Sequence, residues 1–271
     1  MNPIPVKEKR KPKRGMCRLT LSEGIFVKSH IIPRALTKPE LNGHRLIQIE
    51  SKKKRVIRHD SWYDSALVSE EGENILRDLD DFGVSELRRL GILWSAKYPI
   101  GKLQLPFGQK TDHEPGRLQL ETVNETNLRR FFTSIIWRSA ASDLADMADV
   151  KLPKSDLEKL RLEVVGLVDV DPFFYPIYLN FYCTTGPRHN LSPFVRFTNA
   201  PAPFNCYIRL EMDGIVALTF PNASRSDIPL ADRFGVVGFS RRLIVNSMPF
   251  EDSFGQRNLH AAIRDQREQN W

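Results

Sequence analysis

The sequence contains little cysteine and no long apolar run. Its three cysteines, Cys17, Cys183 and Cys206, are spread over 271 residues, which excludes a disulfide framework and a paired-cysteine zinc motif. No apolar stretch approaches the roughly 18 residues that span a bilayer, and no apolar segment follows the basic N-terminus as it does in a secretory signal. We therefore expect a protein of the reducing cytoplasm that does not enter a membrane.

Acidic residues are scarce in two basic stretches. The chain has 40 Lys and Arg against 33 Asp and Glu, a formal charge of +7. Residues 1–14 contain one acid, and residues 52–58, KKKRVIR, contain none. Such clusters are typical of surfaces that bind phosphates, although a basic run can also be a solubilising tail or a solvated turn. The predicted nucleic-acid contacts are Lys52, Lys53, Lys54, Arg55 and Arg58.

The hydrophobic pattern changes along the chain and predicts an α+β fold. Residues 24–32 have the composition of a strand, whereas 69–91 and 125–147 place apolar residues at helical spacing. After residue 170, β-branched and aromatic runs dominate, and the Asp-Gly pair at 213 indicates a hairpin. The Pro- and Gly-rich stretch at 98–119 predicts a boundary.

The expected organisation has four parts. We predict a flexible basic tail at 1–14, an N-terminal unit at 15–97, a linker with central amphipathic helices at 98–165, and a β-rich C-terminal domain at 166–271. No internal repeat or low-complexity tract complicates this division.

Two motifs occur in a characteristic order. Residues 29–33, SHIIP, precede a basic region and a helix that opens with SEEGEN, and residues 134–142 read SIIWRSAAS. Over about residues 16–148 this order resembles bacterial HNH-endonuclease-like proteins of the His-Me finger class. The resemblance implies a ββα-metal fold for residues 15–97 and hydrolysis of phosphodiesters, with DNA favoured over RNA. Proteins of this kind often look like parts of antiphage-defence or mobile-element systems, so the resemblance also implies a protein partner.

The resemblance also implies a zinc site that this chain lacks. The family has one Cys-x-x-Cys before the histidine and another at the start of the helix. This sequence has Cys17, Thr20, Ser69 and Gly72 at those positions. Because a structural zinc needs about four Cys or His ligands, we expect no structural zinc, and packing or a partner chain in its place.

The resemblance assigns the role of general base to His30. Histidine suits this role because its ordinary pKa lies near neutral pH. The implied cofactor is Mg²⁺ or Mn²⁺, which binds oxygen ligands and retains several waters. By position, the implied metal ligands are Ser29 and Glu73, with Asn74, Asp64 or Asp80 as further candidates.

Simpler explanations stay open for the same residues. A histidine in an apolar stretch can be structural, and Glu73 in the first turn of a helix is explained by the helix dipole. The alternative to a nuclease is an HNH-like fold that has lost its chemistry and binds nucleic acid or assembles a complex. The missing cysteines favour this alternative, whereas the presence of His30 and Glu73 favours the nuclease, which is our leading hypothesis.

Overall fold

A computed structural model describes residues 13–37, 61–97, 111, 113–187 and 189–261, and the backbone of 46–49, 55–58 and 262–269. Its strands are β1 (Arg14–Met16), β2 (Glu23–Ile25), β3 (Ser29–His30), β4 (Leu46–Ile49), β5 (Arg55–Arg58), β6 (Tyr63–Asp64), β7 (Gly116–Glu121), β8 (Ile177–Tyr182), β9 (His189–Phe197), β10 (Cys206–Met212), β11 (Ile215–Thr219) and β12 (Arg242–Met248). Its α-helices are α1 (Glu70–Arg89), α2 (Trp94–Lys97), α3 (Glu125–Ala141), α4 (Lys154–Val165) and α5 (Phe254–Gln269). The predicted α+β class is confirmed.

A large mixed sheet organises the molecule. Within the described ranges, eight strands follow the order β5-β4-β9-β10-β11-β8-β12-β7. Neighbours are antiparallel except for the parallel pairs β4–β9 and β8–β12. The same sheet therefore contains strands from each of the predicted segments 15–97, 98–165 and 166–271.

The main core lies between one face of this sheet and the helices. α3 packs against both α1 and α4, and its Phe131 belongs to the same apolar cluster as Leu179 of β8 and Val245 of β12. The cluster also includes Cys17, so it contains residues from all three predicted segments. The division into separate domains stays a prediction. Among the described helices, none is both long and apolar enough to cross a membrane.

Local signals in the sequence explain how α1 begins and how it packs. Ser69 is the N-cap, and its hydroxyl accepts a hydrogen bond from the Gly72 amide at 3.5 Å, which satisfies one free donor of the first turn. The helix continues through Gly83. A Cβ at that position would lie 2.1 Å from Cγ of Phe131, so glycine allows α3 to approach α1 closely.

The predicted Asp-Gly hairpin joins β10 to β11. Asp213 and Gly214 have φ angles of 46° and 86°, as a type I′ turn requires. The ring of Trp94 lies against the turn, because a Cβ on Gly214 would be 2.7 Å from its Cδ1. The hairpin prediction is confirmed.

A separate two-stranded antiparallel ladder carries the motif that contains His30. In it β3 pairs with β6, so that Ser29 lies opposite Asp64 and His30 lies opposite Tyr63. The chain between these strands contributes the β4–β5 hairpin to the edge of the large sheet. α1 follows β6 and packs on α3, so two short strands and one helix lie in succession around His30.

Candidate active site

His30 lies at the end of β3, beside the first half of α1. Its ring and that of Tyr63 have centroids 6.2 Å apart, and Nζ of Lys28 lies 3.8 Å from the centre of the Tyr63 ring. The half-buried imidazole is close enough to Glu73 and Asp80 to interact electrostatically with both carboxyls. The strand end thus places a histidine between a cationic, aromatic surface and two acids of one helix.

A buried arginine of α3 joins β3 to α1. The Arg138 side chain is 1% exposed, and its two terminal nitrogens donate to the Asp80 carboxylate oxygens at 2.7 and 3.0 Å. Nη1 also donates to the carbonyl of His30 at 2.9 Å, and Nη2 donates to the Ser134 hydroxyl at 3.1 Å. Arg138 therefore fixes the backbone of His30 relative to the acidic face of α1.

Glu73 and Ser29 contribute two buried oxygens with little hydrogen bonding. Burial raises the pKa of Glu73, and the nearby Ser29 hydroxyl and the charge of Arg138 oppose this shift. Apart from each other, Ser29 Oγ and Glu73 Oε2 have no hydrogen-bond partner among the described residues. The pair therefore presents one carboxylate oxygen and one hydroxyl oxygen, which are ligand types that suit an electropositive ion.

The other three predicted metal ligands are arranged differently. Asp80 is bound to Arg138, whose charge opposes the rise that burial causes in the pKa of Asp80. Asp64 accepts hydrogen bonds from the Ser142 hydroxyl at 2.7 Å and the Ala66 amide at 2.8 Å. Asn74 follows Glu73 on α1 and is exposed. The structure therefore brings Ser29, His30, Glu73 and Asp80 together, and ties Asp64 to α3 through its C-cap.

The described part of the chain contains no group of three or more His, Cys, Asp or Glu side chains arranged to hold a metal ion. Two of the predicted carboxylate ligands, Asp64 and Asp80, already have protein donors. The residues at the site that match a cation are thus Glu73 and Ser29, one carboxylate and one hydroxyl.

The four positions at which the resemblance implies zinc ligands also lie together in the structure. The Thr20 amide donates to Sγ of Cys17 at 3.4 Å, and a Cβ on Gly72 would be 2.8 Å from the same sulfur. Burial alone would raise the pKa of the Cys17 thiol, but hydrogen bonds from Ser69 and Thr20 outweigh it and the pKa is lowered. A small packed cluster occupies this corner, and the absence of structural zinc stays a prediction.

The basic cluster is only partly described. Lys52, Lys53 and Lys54 lie outside the described residues, and Arg55 and Arg58 are described as backbone of β5 alone. Because β5 pairs with β4 at the edge of the large sheet, these arginines belong to a strand, and the alternative of a solvated turn does not apply to them. Their role in binding nucleic acid stays a prediction.

Comparison with known proteins adds no relative. No protein-family model matches the chain, and neither the curated proteins nor the solved structures contain a match. The resemblance to HNH-like proteins therefore depends on the sequence motifs and stays a prediction.

Sequence reasoning missed the role of Arg138. The motif at 134–142 contains it, but sequence reasoning assigned it no role in the site. One signal was available, because a charged side chain within an apolar face needs a buried partner of opposite charge. Asp80 is that partner.

Proposed function

We propose that this protein is an HNH-like, metal-dependent endonuclease with DNA as its substrate and His30 as its general base. One observation carries the proposal: the half-buried His30 lies beside the buried oxygens of Ser29 and Glu73, which have no hydrogen-bond partner other than each other among the described residues. The succession β3, β6 and α1 supports a ββα unit, and the cluster of Cys17, Thr20, Ser69 and Gly72 supports the resemblance further.

The proposed chemistry assigns a task to each group. His30 accepts a proton from a water molecule, whose oxygen forms a bond to phosphorus while the bond to the leaving sugar oxygen breaks. Ser29 and Glu73 would hold a divalent cation, which, when bound, supplies positive charge to the phosphate and the leaving oxygen. Lys28 above Tyr63 provides a cation beside the histidine for the phosphate backbone.

The donor set fits a weakly held Mg²⁺ or Mn²⁺. Mg²⁺ binds through one or two carboxylates and keeps several waters, and Glu73 provides one carboxylate. Because burial raises the pKa of Glu73, the cation must displace a proton as the pH falls toward that pKa. We therefore expect activity to need millimolar metal and to increase with pH.

A role in antiphage defence or a mobile-element system, with a protein partner, follows from the resemblance alone. The three cysteines are free thiols, which supports a reducing, cytoplasmic setting. Both statements belong to the proposal.

A second function has its own support. Asp80 is committed to Arg138 and Asp64 to Ser142, which leaves one carboxylate for a metal. This arrangement favours a module that has kept the fold and binds nucleic acid or assembles a complex without cutting.

Cleavage of plasmid DNA and of RNA by the purified protein, with Mg²⁺ or Mn²⁺, separates the two functions. We expect His30→Ala to slow DNA cleavage at least about a hundredfold, as loss of a general base does, and to leave the fold intact. His260→Ala changes an exposed histidine of α5 and is the matched control. Equal cleavage by His30→Ala and the parent would make His30 structural, and no cleavage by the parent would favour the non-catalytic module.

A further inference from the structure

The second face of the large sheet contains a cavity. Its volume is about 630 Å³, within the roughly 300–1,000 Å³ of small-molecule sites. Side chains alternate between the faces of a strand, so Leu179 of β8 points into the main core, whereas Tyr178 and Asn180 line the cavity. Residues of the segment 227–235 also line it. None of the residues assigned to the nuclease site lines this cavity.

Three half-buried aromatic rings form one wall. Phe220 makes edge-to-face contacts with Tyr178 at 5.9 Å and 79°, and with Phe204 at 5.4 Å and 76°. Burial and the charge of Asp232 raise the pKa of Tyr178 to about 12, so its hydroxyl is neutral. Aromatic walls of this kind stack on the planar rings of nucleobases.

Two asparagines supply a polar edge next to this wall. Asn180 and Asn246 lie directly opposite each other on the parallel strands β8 and β12. Nδ2 of Asn246 donates to Oδ1 of Asn180 at 3.1 Å. Since each amide has two N–H donors and one carbonyl, three N–H groups and the Asn246 carbonyl oxygen lie outside that hydrogen bond and can bind a ligand. Adjacent donors and acceptors complement the edge of a nucleobase.

The rim of the cavity carries charge of both signs. Arg117 of β7 lies 3.6 Å from Asp232, and their side chains are 61% and 49% exposed. An exposed guanidinium can shift to bind a phosphate, and carboxylates accept hydrogen bonds from sugar hydroxyls. Asp227 is a second acid at the rim, which disfavours a ligand with many negative charges.

We propose that this cavity binds the nucleobase, sugar and single phosphate of a nucleotide. The base stacks on the wall of Tyr178, Phe204 and Phe220, the asparagine pair binds its polar edge, and Arg117 binds the phosphate. The same chemistry fits a free mononucleotide and an unstacked base of a single strand. The proposal does not depend on cleavage at His30.

Titration calorimetry of the full-length protein tests this site. The ligands are AMP, GMP, CMP and UMP, their nucleosides, ribose 5-phosphate, and a short single-stranded oligonucleotide. We expect saturable binding of at least one nucleotide and about tenfold weaker binding to Asn246→Ala, which loses one to two hydrogen bonds. Asn222→Ala changes an exposed asparagine outside this cavity and should bind like the parent. Arg117→Gln should weaken binding of the nucleotide and leave binding of its nucleoside unchanged, with Arg242→Gln on β12 as control.

The ligands distinguish the sources of the base. Binding of a mononucleotide supports a site for free nucleotides, and binding of the oligonucleotide alone supports a site for an unstacked base. Ribose 5-phosphate binding as tightly as the nucleotides would overturn recognition of the base. Absence of binding by every ligand at millimolar concentration, or parental affinity in Asn246→Ala, would overturn the site.

Discussion

Replacing Arg138 by methionine should destabilise the protein by about 3 kcal/mol. The change leaves the Asp80 carboxylate, whose side chain is 19% exposed, without its ion-pair partner, and leaves the His30 carbonyl without its donor. Removal of one partner from a buried ion pair costs about 3–5 kcal/mol, and the residual exposure of Asp80 favours the lower end. Methionine fills much of the same volume, so a cavity contributes little.

Urea unfolding at neutral pH, followed by circular dichroism, measures this loss. Arg77→Met is the matched control on α1, because Arg77 is 60% exposed and lies 3.9 Å from Asp78. Exposed pairs of this kind contribute about 0–1 kcal/mol. The double variant Arg138→Met with Asp80→Leu should regain at least about half of the loss, because it also removes the unpaired charge.

Two results would refute this reasoning about Arg138. A loss below about 1 kcal/mol would mean that the ion pair with Asp80 contributes no more than an exposed pair. A double variant as unstable as Arg138→Met would mean that shape, and not the unpaired carboxylate, causes the loss.

Further predictions concern Glu73, Gly83 and the lysines at 52–54. Because burial raises the pKa of Glu73 above its ordinary 4.5, ionisation of Glu73 costs folding free energy as the pH rises through the raised pKa. Glu73→Gln should therefore have a higher melting temperature than the parent at pH 7, and the difference should fade below pH 4.5. Equal melting temperatures at pH 7 would contradict this, and so would the same gain in the exposed control Glu71→Gln. Gly83→Ala should lower the free energy of unfolding in urea by about 1–3 kcal/mol because the new Cβ meets Phe131. This holds although alanine is the better helix former by about 1 kcal/mol. A stabilised variant would contradict the close approach of α3 to α1. Neutralising the three lysines should reduce the slope of log DNA affinity against log salt concentration by up to about three. An unchanged slope would mean that DNA binds to another part of the protein.

Local features of the fold could be predicted from the sequence. The helical spacing at 69–91 and 125–147 and the Asp-Gly turn at 213 each depend on neighbouring residues, and the structure contains α1, α3 and the turn. The pairing of β4 with β9 joins Ile47 to His189, and no local pattern records such a contact. The large sheet across all three predicted segments was therefore beyond sequence reasoning.

The candidate site divides in the same way. The resemblance placed Ser29, His30 and Glu73 near each other, and the structure brings them together at β3 and α1. The resemblance could not indicate that Arg138, 58 residues after Asp80, binds that acid. Whether a carboxylate is already paired with a distant side chain depends on how the helices pack. Acids chosen by sequence position alone therefore overestimate the number of available metal ligands.

The initial rate of DNA cleavage as a function of Mg²⁺ concentration tests the proposed activity most directly. The parent, His30→Ala and Glu73→Gln are compared at one pH near neutral. We expect parental cleavage to saturate at millimolar Mg²⁺, a plateau at least about a hundredfold lower for His30→Ala with the same midpoint, and a higher midpoint for Glu73→Gln. An unchanged plateau in His30→Ala, or a parent that does not cut at any Mg²⁺ concentration, would contradict a nuclease at this site.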